Sequence, residues 1–363
     1  MTLQPSMVDQ TMVDQKPMLH AIGRLQPMVL GPLTAEPKVS ILVANYNYGH
    51  LIGETLASVY NQTYRNFEIC ICDDGSSDHS RETIIGHAGR HAQIKYIFQA
   101  NQGVGQALNS AYSLATGEIV ALLDADDVWL PKKLEAIVNR FRLNNQAGMV
   151  VHPVRQVSQD LRETLMERFP AAPASGWCGV RLLSGELIGL PPCSGLSFRS
   201  EVAARIFPLD PAFRQCADGM LRDLATLITT INVIDEPLGL MRIHGANLTT
   251  TTDIPSDLGK VLKVSSSYRK IWEERSAFAK REFGLDVSTD RWVHEGVIYL
   301  LLERLLTKQP VDPTLIHHVR SLGARALWQM LFLCPFHSGG AILRNFWTPA
   351  SKLKRTFKRI ASL

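Results

Sequence analysis

The chain has 363 residues, 45% hydrophobic and 20% charged, which suffices for one large or two ordinary globular domains and excludes disordered and fibrous classes. A net charge of +4 is too mild to predict a nucleic-acid partner. Six cysteines without a Cys-x-x-Cys pair read as free thiols in a reducing cytosol.

Met1 to Pro37 is rich in Met, Gln and Pro, lacks a sustained period, and reads as a flexible leader. It carries no basic region followed by an apolar core, so no secretory signal is predicted. Val39 to Val43 predicts a first strand, which runs into Asn45-Tyr46-Asn47-Tyr48-Gly49, residues that tolerate unusual backbone angles. Ile52, Leu56 and Val59 then share one face of a helix. Phe67 to Cys72 predicts a second strand that ends in Asp73-Asp74, before Gly75-Ser76-Ser77-Asp78 opens the next helix. Lys95 to Phe98 is a third strand. After Asn101-Gln102-Gly103 a helix buries Val104, Leu108, Ala111, Tyr112 and Ala115. Ile119 to Leu123, a short apolar run, predicts a fourth strand buried on both faces of a parallel sheet. Strand and helix thus alternate in the manner of an α/β doubly wound, mostly parallel sheet.

Beyond Pro131 a helix to about Arg142 precedes a strand at Met149 to His152. From Pro153 to Pro192 no regular period is visible, and a long irregular insertion beside a ligand-binding edge is a natural place for substrate recognition. Cys193 to Phe198 predicts a strand, Glu201 to Ile206 a short helix, Ala217 to Thr229 a helix, and Val233 to Ile243 an extended segment that ends in Arg242-Ile243-His244. From about Ser256 the pattern is helical to the end. There Thr348-Pro349 caps a last helix, with Leu353, Phe357 and Ile360 on one face and Lys352, Lys354, Arg355, Lys358 and Arg359 around the rest. Such a basic helix either lies in an anionic membrane surface or docks its apolar face on the domain. No apolar run approaches the roughly 20 residues that span a bilayer, which predicts a soluble or peripheral protein.

The chemistry concentrates at strand ends. Asp124, Asp126 and Asp127 close the fourth strand, and acids packed so closely repel unless a divalent cation joins them. Alternation along an extended chain turns Asp124 and Asp126 the same way, toward one ion. Each feature also has a purely architectural reading. Asp126 or Asp127 can cap the helix after Pro131, and Asp73 or Asp74 the helix after Ser76. Asp218 can answer a helix dipole. Tyr46 can simply pack, and His244 can be an ordinary partly buried histidine. Asn101-Gln102-Gly103-Val104-Gly105 lacks the lysine and the full glycine spacing of a phosphate loop, so it reads as a turn and a helix start.

In order and spacing these segments, from roughly Lys38 to Asn247, resemble the family-two glycosyltransferases of the GT-A fold. The resemblance implies donor-nucleotide contacts from Ala44, Tyr46, Asn47, Glu54, Asp73, Asp74, Asn101, Gly103, Asn109, Asp124 and Ala125. It implies a divalent cation, Mn²⁺ or Mg²⁺, at Asp126 and Asp124 with His244, and an imidazole ligand favours Mn²⁺. Asp218 stands where the family has the second member of its catalytic acid pair, and Ala217 departs from the first, usually Glu. Asp223, further along that helix, is the alternative base. Arg242-Ile243-His244 with Asn247 is similar to the family's Arg-x-His-x-x-Asn segment. No Gln-x-x-Arg-Trp motif follows, which points away from the processive branch. The implied organisation is a leader at 1–37, a nucleotide-sugar half at 38–128, an acceptor half at 129–247 and a helical C-terminal region at 248–363. The implied activity is inverting, metal-dependent transfer of one sugar, from a UDP-sugar to a glycan or lipid-linked acceptor in surface polysaccharide assembly, at the inner face of the membrane.

Other classes fit less well. A phosphoacceptor signalling domain shares Asp-Asp at a strand end but has no use for the later Asp-x-Asp-Asp. A nucleotidyltransferase needs a Gly-rich basic loop where this chain has Asn-Tyr-Asn. A catalytically silent nucleotide-sugar-binding or scaffold protein is raised by Ala217.

Overall fold

The computed structural model describes residues 21, 23–169, 173–186, 188–244, 247, 258–289, 297–307, 309, 310 and 315. The first part alternates as the apolar periods require: β1 (Val39–Asn45), α1 (Ile52–Tyr60), β2 (Phe67–Asp73), α2 (Ser80–Ala88), β3 (Ile94–Phe98), α3 (Val104–Ser113) and β4 (Ile119–Leu122). Then come β5 (Val128–Trp129), α4 (Lys133–Leu143), β6 (Ala147–Val151), β7 (Val154–Ser158), β8 (Thr164–Phe169) and α5 (Gly179–Leu183). The remainder is β9 (Leu196–Arg199), α6 (Ser200–Ile206), α7 (Ala217–Ile228), β10 (Thr230–Val233), β11 (Gly239–Ile243), α8 (Leu258–Phe283) and α9 (Val297–Leu306).

A seven-stranded sheet in the order β10-β6-β9-β4-β1-β2-β3 carries the core. Period-two alternation sends Ile41 and Val43 to one face, where Ile52 and Leu56 of α1, Ile84 of α2 and Ile137 and Phe141 of α4 cover them. Leu42 faces the other side with Leu108 of α3, Val202 of α6, Leu221 of α7 and Trp272 of α8. Both faces are therefore sealed, and each fully buried Leu or Ile contributes about 1.5–3 kcal/mol. β9 is the exception to the parallel rule, because it runs antiparallel to both β4 and β6.

Three expectations change. The stretch from Pro153 to Pro192 is not irregular throughout: β7 and β8 form an antiparallel hairpin, and β5, β11 and β7 complete a second sheet with it. Its period is hidden because β8 is largely exposed, so no face needed to be apolar. Val233 to Ile243 divides between two sheets, β10 in the first and β11 in the second. The leader is tied down from Met28 onward. Met28 N donates to Ile228 O at 2.8 Å, Thr34 N to Glu118 Oε2 at 2.9 Å, and Leu30 is buried. The last basic helix, Thr348 to Ile360, lies outside the described residues. Among the described residues no helix is long and apolar enough to cross a membrane.

One buried carboxylate sits at the amino end of the sheet. Glu68 receives Ser40 Oγ at 2.6 Å, Thr116 N at 2.6 Å, Lys38 Nζ at 2.6 Å and Lys95 Nζ at 2.8 Å. Burial alone raises a carboxyl, but these donors overcome it and hold Glu68 down at about 2.

Candidate active site

The carboxyl ends of the parallel strands β1, β2 and β4 open on one edge, the edge where α/β sheets bind ligands. Asp73 and Asp74 reach it but cap no helix. Asp73 takes Asn45 Nδ2 at 2.7 Å and Ser76 Oγ at 2.6 Å, while Asp74 takes Gln102 N at 2.9 Å and Gly103 N at 2.7 Å. They stitch two turns together from below. Asn47, at a positive φ of 58°, accepts Ser77 N at 2.8 Å, which joins the first strand's turn to the second's. Tyr46 stays 49% exposed above Ala44, open to a stacking partner.

Several residues expected at the donor serve the architecture. Asn109 exchanges both hydrogen bonds with the backbone of Leu209, at 2.8 and 2.7 Å, so its amide is committed there. Gly103 has φ 93°, and a Cβ on it would stand 2.6 Å from Arg214 Cα; both facts demand glycine without a ligand. Asn101 accepts Arg214 Nη2 at 2.5 Å. Ala125 is buried in the core, and its carbonyl accepts Thr55 Oγ1 at 2.8 Å. Glu54 is held by the Arg242 guanidinium. That arginine is buried, donates to Gln159 O at 2.6 Å and gives its backbone N–H to Asp127 Oδ1 at 3.0 Å, so it locks β11 to the acidic turn.

The acidic turn itself is short of compensation. Burial, then the charges of Asp126 and Asp218, push Asp124 up to about 8. Burial, then the charges of Asp126 and Asp124, raise Asp127 well above its ordinary value. Asp127 Oδ2 is buried with no hydrogen-bond partner among the described residues. Asp126, 7% exposed, meets His244 Nε2 at 2.9 Å and Asn247 Nδ2 at 3.4 Å. Excess buried negative charge, hard oxygen donors and an orphaned oxygen fit a divalent cation. The fit is incomplete, since no three His, Cys, Asp or Glu side chains among the described residues form a ready cage. The missing ligands suit a diphosphate's oxygens.

Across this turn stands α7. Its first-turn Asp218 is half-buried, and its charge raises both Asp124 and Cys193. Ala217 is buried in the core, where the family's usual acid would be taken out of water. Asp223, the alternative base, is taken: Arg275 Nε of α8 donates to it at 3.1 Å and Arg222 Nε at 3.2 Å.

Three residues that the sequence does not single out complete the site. Tyr48, not Tyr46, turns inward, and burial, then Asp126 and Asp124, raise its hydroxyl; its ring packs edge-on to His244 at 5.6 Å. Lys133 is fully buried beneath the acids, and Ser194 Oγ accepts Asp124 N at 3.1 Å. Lys133 had a visible signal, since it lies four residues before Ile137 on the buried stripe of α4. Ser194 had none.

Residues 40–198 match the model of glycosyl transferase family 2. This stretch is similar to the family 2 glycosyltransferases. Over 214 residues the chain is 39% identical to an uncharacterized glycosyltransferase of Nostoc sp., covering 58% of this chain and 66% of that one. Over 112 residues it is 37% identical to the Escherichia coli UDP-Glc:alpha-D-GlcNAc-diphosphoundecaprenol beta-1,3-glucosyltransferase, covering 31% of this chain and 44% of that one. The chain thus spans just under two thirds of one relative and under half of the other. A mannosyltransferase from Pyrobaculum calidifontis, solved with GDP-Man and Mn²⁺, superposes with a TM-score of 0.50 at 15% identity over 92% of this chain and 94% of that one. The architecture is that of the GT-A glycosyltransferases.

Proposed function

We propose that this chain transfers a single sugar, with inversion, from a UDP-sugar to a hydroxyl of a glycan or lipid-linked acceptor in polysaccharide assembly. The observation that carries the reading is the gathering of acids at the carboxyl end of β4, where Asp126 meets His244 Nε2 at 2.9 Å and Asp218, in the first turn of α7, adds its charge to that of the turn. Such an arrangement suits a base beside a leaving-group site. Tyr46 is free to stack on the base of the nucleotide. Asp124 and Asp126 would hold Mn²⁺ or Mg²⁺ beside the donor's diphosphate, and His244, already on Asp126, would be the third candidate ligand. The cation, when bound, offsets the charge that develops on the departing diphosphate.

Asp218 accepts the proton of the acceptor hydroxyl as its oxygen bonds to the anomeric carbon. The bond from that carbon to the diphosphate breaks, and UDP leaves. One base and one displacement give inversion. The names of relatives support the donor and acceptor classes, since one uses a UDP-sugar and a diphosphoundecaprenol-linked sugar. A lipid-linked acceptor gives the basic segment Lys352 to Arg359 a use, because it holds enzyme and acceptor at the inner membrane face.

A panel of nucleotide sugars assayed for nucleoside-diphosphate release, with and without Mn²⁺, tests the reading. Release from one UDP-sugar that needs the metal is expected; no release from any donor overturns transfer and leaves a silent binding protein. Sedimentation with anionic and neutral vesicles, comparing the full chain with one ending at Trp347, tests the surface attachment. Equal, negligible binding of both forms retires it.

A further inference from the structure

A buried lysine needs a reason. On α4 the other core-facing residues, Leu134, Ile137, Val138 and Phe141, are apolar, and an apolar residue at 133 would cost nothing in desolvation. Lys133 is instead 0% exposed. Its ammonium donates to Ser194 O at 2.5 Å and lies 3.7 Å from the centroid of the Trp129 ring, whose face attracts a cation. Ser194 lies in the one-turn 3₁₀ segment Cys193–Gly195, and its hydroxyl accepts the backbone N–H of Asp124 at 3.1 Å. The lysine thus grips the turn that grips the first acid. Burial pushes its pKa well below the ordinary lysine value, and Cys193, Asp127 and Asp124 oppose that shift. These contacts tie one continuous stretch, from the acidic turn through Trp129 to the start of α4, to the Cys193–Gly195 turn, 61 and 70 residues away in sequence from Lys133 and Asp124.

We propose that Lys133 is a positioning residue which, through Ser194, holds Asp124 in the conformation that accepts a divalent cation with the donor diphosphate. The inference rests on the metal-dependent reading of the site. The acids repel one another and the turn that carries them can rotate about its backbone torsions, so a fixed backbone anchor decides whether Asp124 and Asp126 face one ion. Lys133 touches no substrate. It acts by keeping Asp124 N–H occupied and the turn in place, which lowers the reorganisation needed when cation and nucleotide arrive.

The test uses the full chain and Mn²⁺ with the UDP-sugar found active in the donor panel. Lys133→Met keeps length and packing but removes the donor, and Ser194→Ala removes the hydroxyl that anchors Asp124 and that also acts on Asp127. Each variant should raise the Mn²⁺ concentration for half-maximal turnover by about tenfold and weaken Mn²⁺-dependent UDP binding, read by calorimetric titration, by a similar factor, with a smaller change in the KM for acceptor. The double variant should be no worse than the weaker single one, because both break one chain of contacts. Ser194→Ala removes one atom from a turn and keeps the Lys133 bond to Ser194 O, so it reports even if Lys133→Met fails to fold. Folded variants with an unchanged Mn²⁺ requirement overturn the inference alone, as do fully additive effects. A wild-type protein that releases UDP without regard to Mn²⁺ overturns the metal reading and this inference with it.

Discussion

Glu68 and Asp124 both sit at ends of strands in the same sheet, and their surroundings push them in opposite directions. At the amino end two lysines, a hydroxyl and a backbone N–H converge on Glu68 and hold it at about 2. At the carboxyl end burial, then Asp126 and Asp218, raise Asp124 to about 8 against the weaker opposition of Cys193 and Lys133. A carboxylate that the fold satisfies from within serves the fold. Carboxylates left in mutual repulsion where strands open to a ligand await a partner from outside. The comparison also separates Asp223 from Asp218 on one helix, since Arg275 and Arg222 satisfy the former from within.

The largest effect that would break this contrast is expected at Asp218. Asp218→Asn should lower transfer on the order of 10²–10⁴-fold while UDP binding in the presence of Mn²⁺ persists. Initial rates on the true acceptor, beside calorimetric titration of UDP, check it. Near-normal turnover would move the base elsewhere.

Asp126→Ala comes next. Turnover should fall on the order of 10²–10³-fold, and the Mn²⁺-dependent part of UDP affinity should disappear. Because one of the repelling charges is gone, the thermal midpoint should hold or rise. A lower midpoint with intact metal dependence would make Asp126 an architectural residue like Glu68.

Glu68→Gln should do the reverse, with Mn²⁺-dependent kinetics intact and stability reduced by about 1–3 kcal/mol. The loss is kept modest because Lys38 and Lys95 are 38% and 39% exposed and water takes over their charges. Urea unfolding of wild type and variant measures it, and an unchanged midpoint would mean that the cluster is only decorative.

The smallest expected effect is the pH dependence of the metal-free protein. Glu68 has a folded pKa below its unfolded one, so its contribution is present above about 4.5 and is lost as pH falls toward 2. Asp124 has a folded pKa above its unfolded one, so its contribution is present below about 4 and is lost as pH rises through 8. From pH 5 to 8.5 the metal-free melting temperature should therefore decline, while Mn²⁺ with UDP should stabilise most at the upper end. Melting curves across that range, with and without both ligands, decide it; a rise with pH in the metal-free protein would contradict the charge excess at Asp124.

Much of this is legible in the sequence alone. Short β-branched runs separated by helix-period segments determine a parallel sheet because only an element sealed on both faces is apolar throughout, and that places Asp73, Asp74, Asp124, Asp126 and Asp127 at one edge. The resemblance then ordered the motifs. What the chain could not disclose are contacts between segments far apart in sequence. Asn109 looked like a ligand contact until Leu209 was seen to claim its amide. Asp223 looked like a second base until Arg275, on a helix some fifty residues later, was seen to neutralise it. The β7–β8 hairpin stayed hidden because an exposed strand carries no apolar alternation. Local periodicity is set by burial and can be read along the chain, whereas the partner of a polar side chain is set by packing. Only the tertiary structure decides which acids are satisfied and which remain to bind.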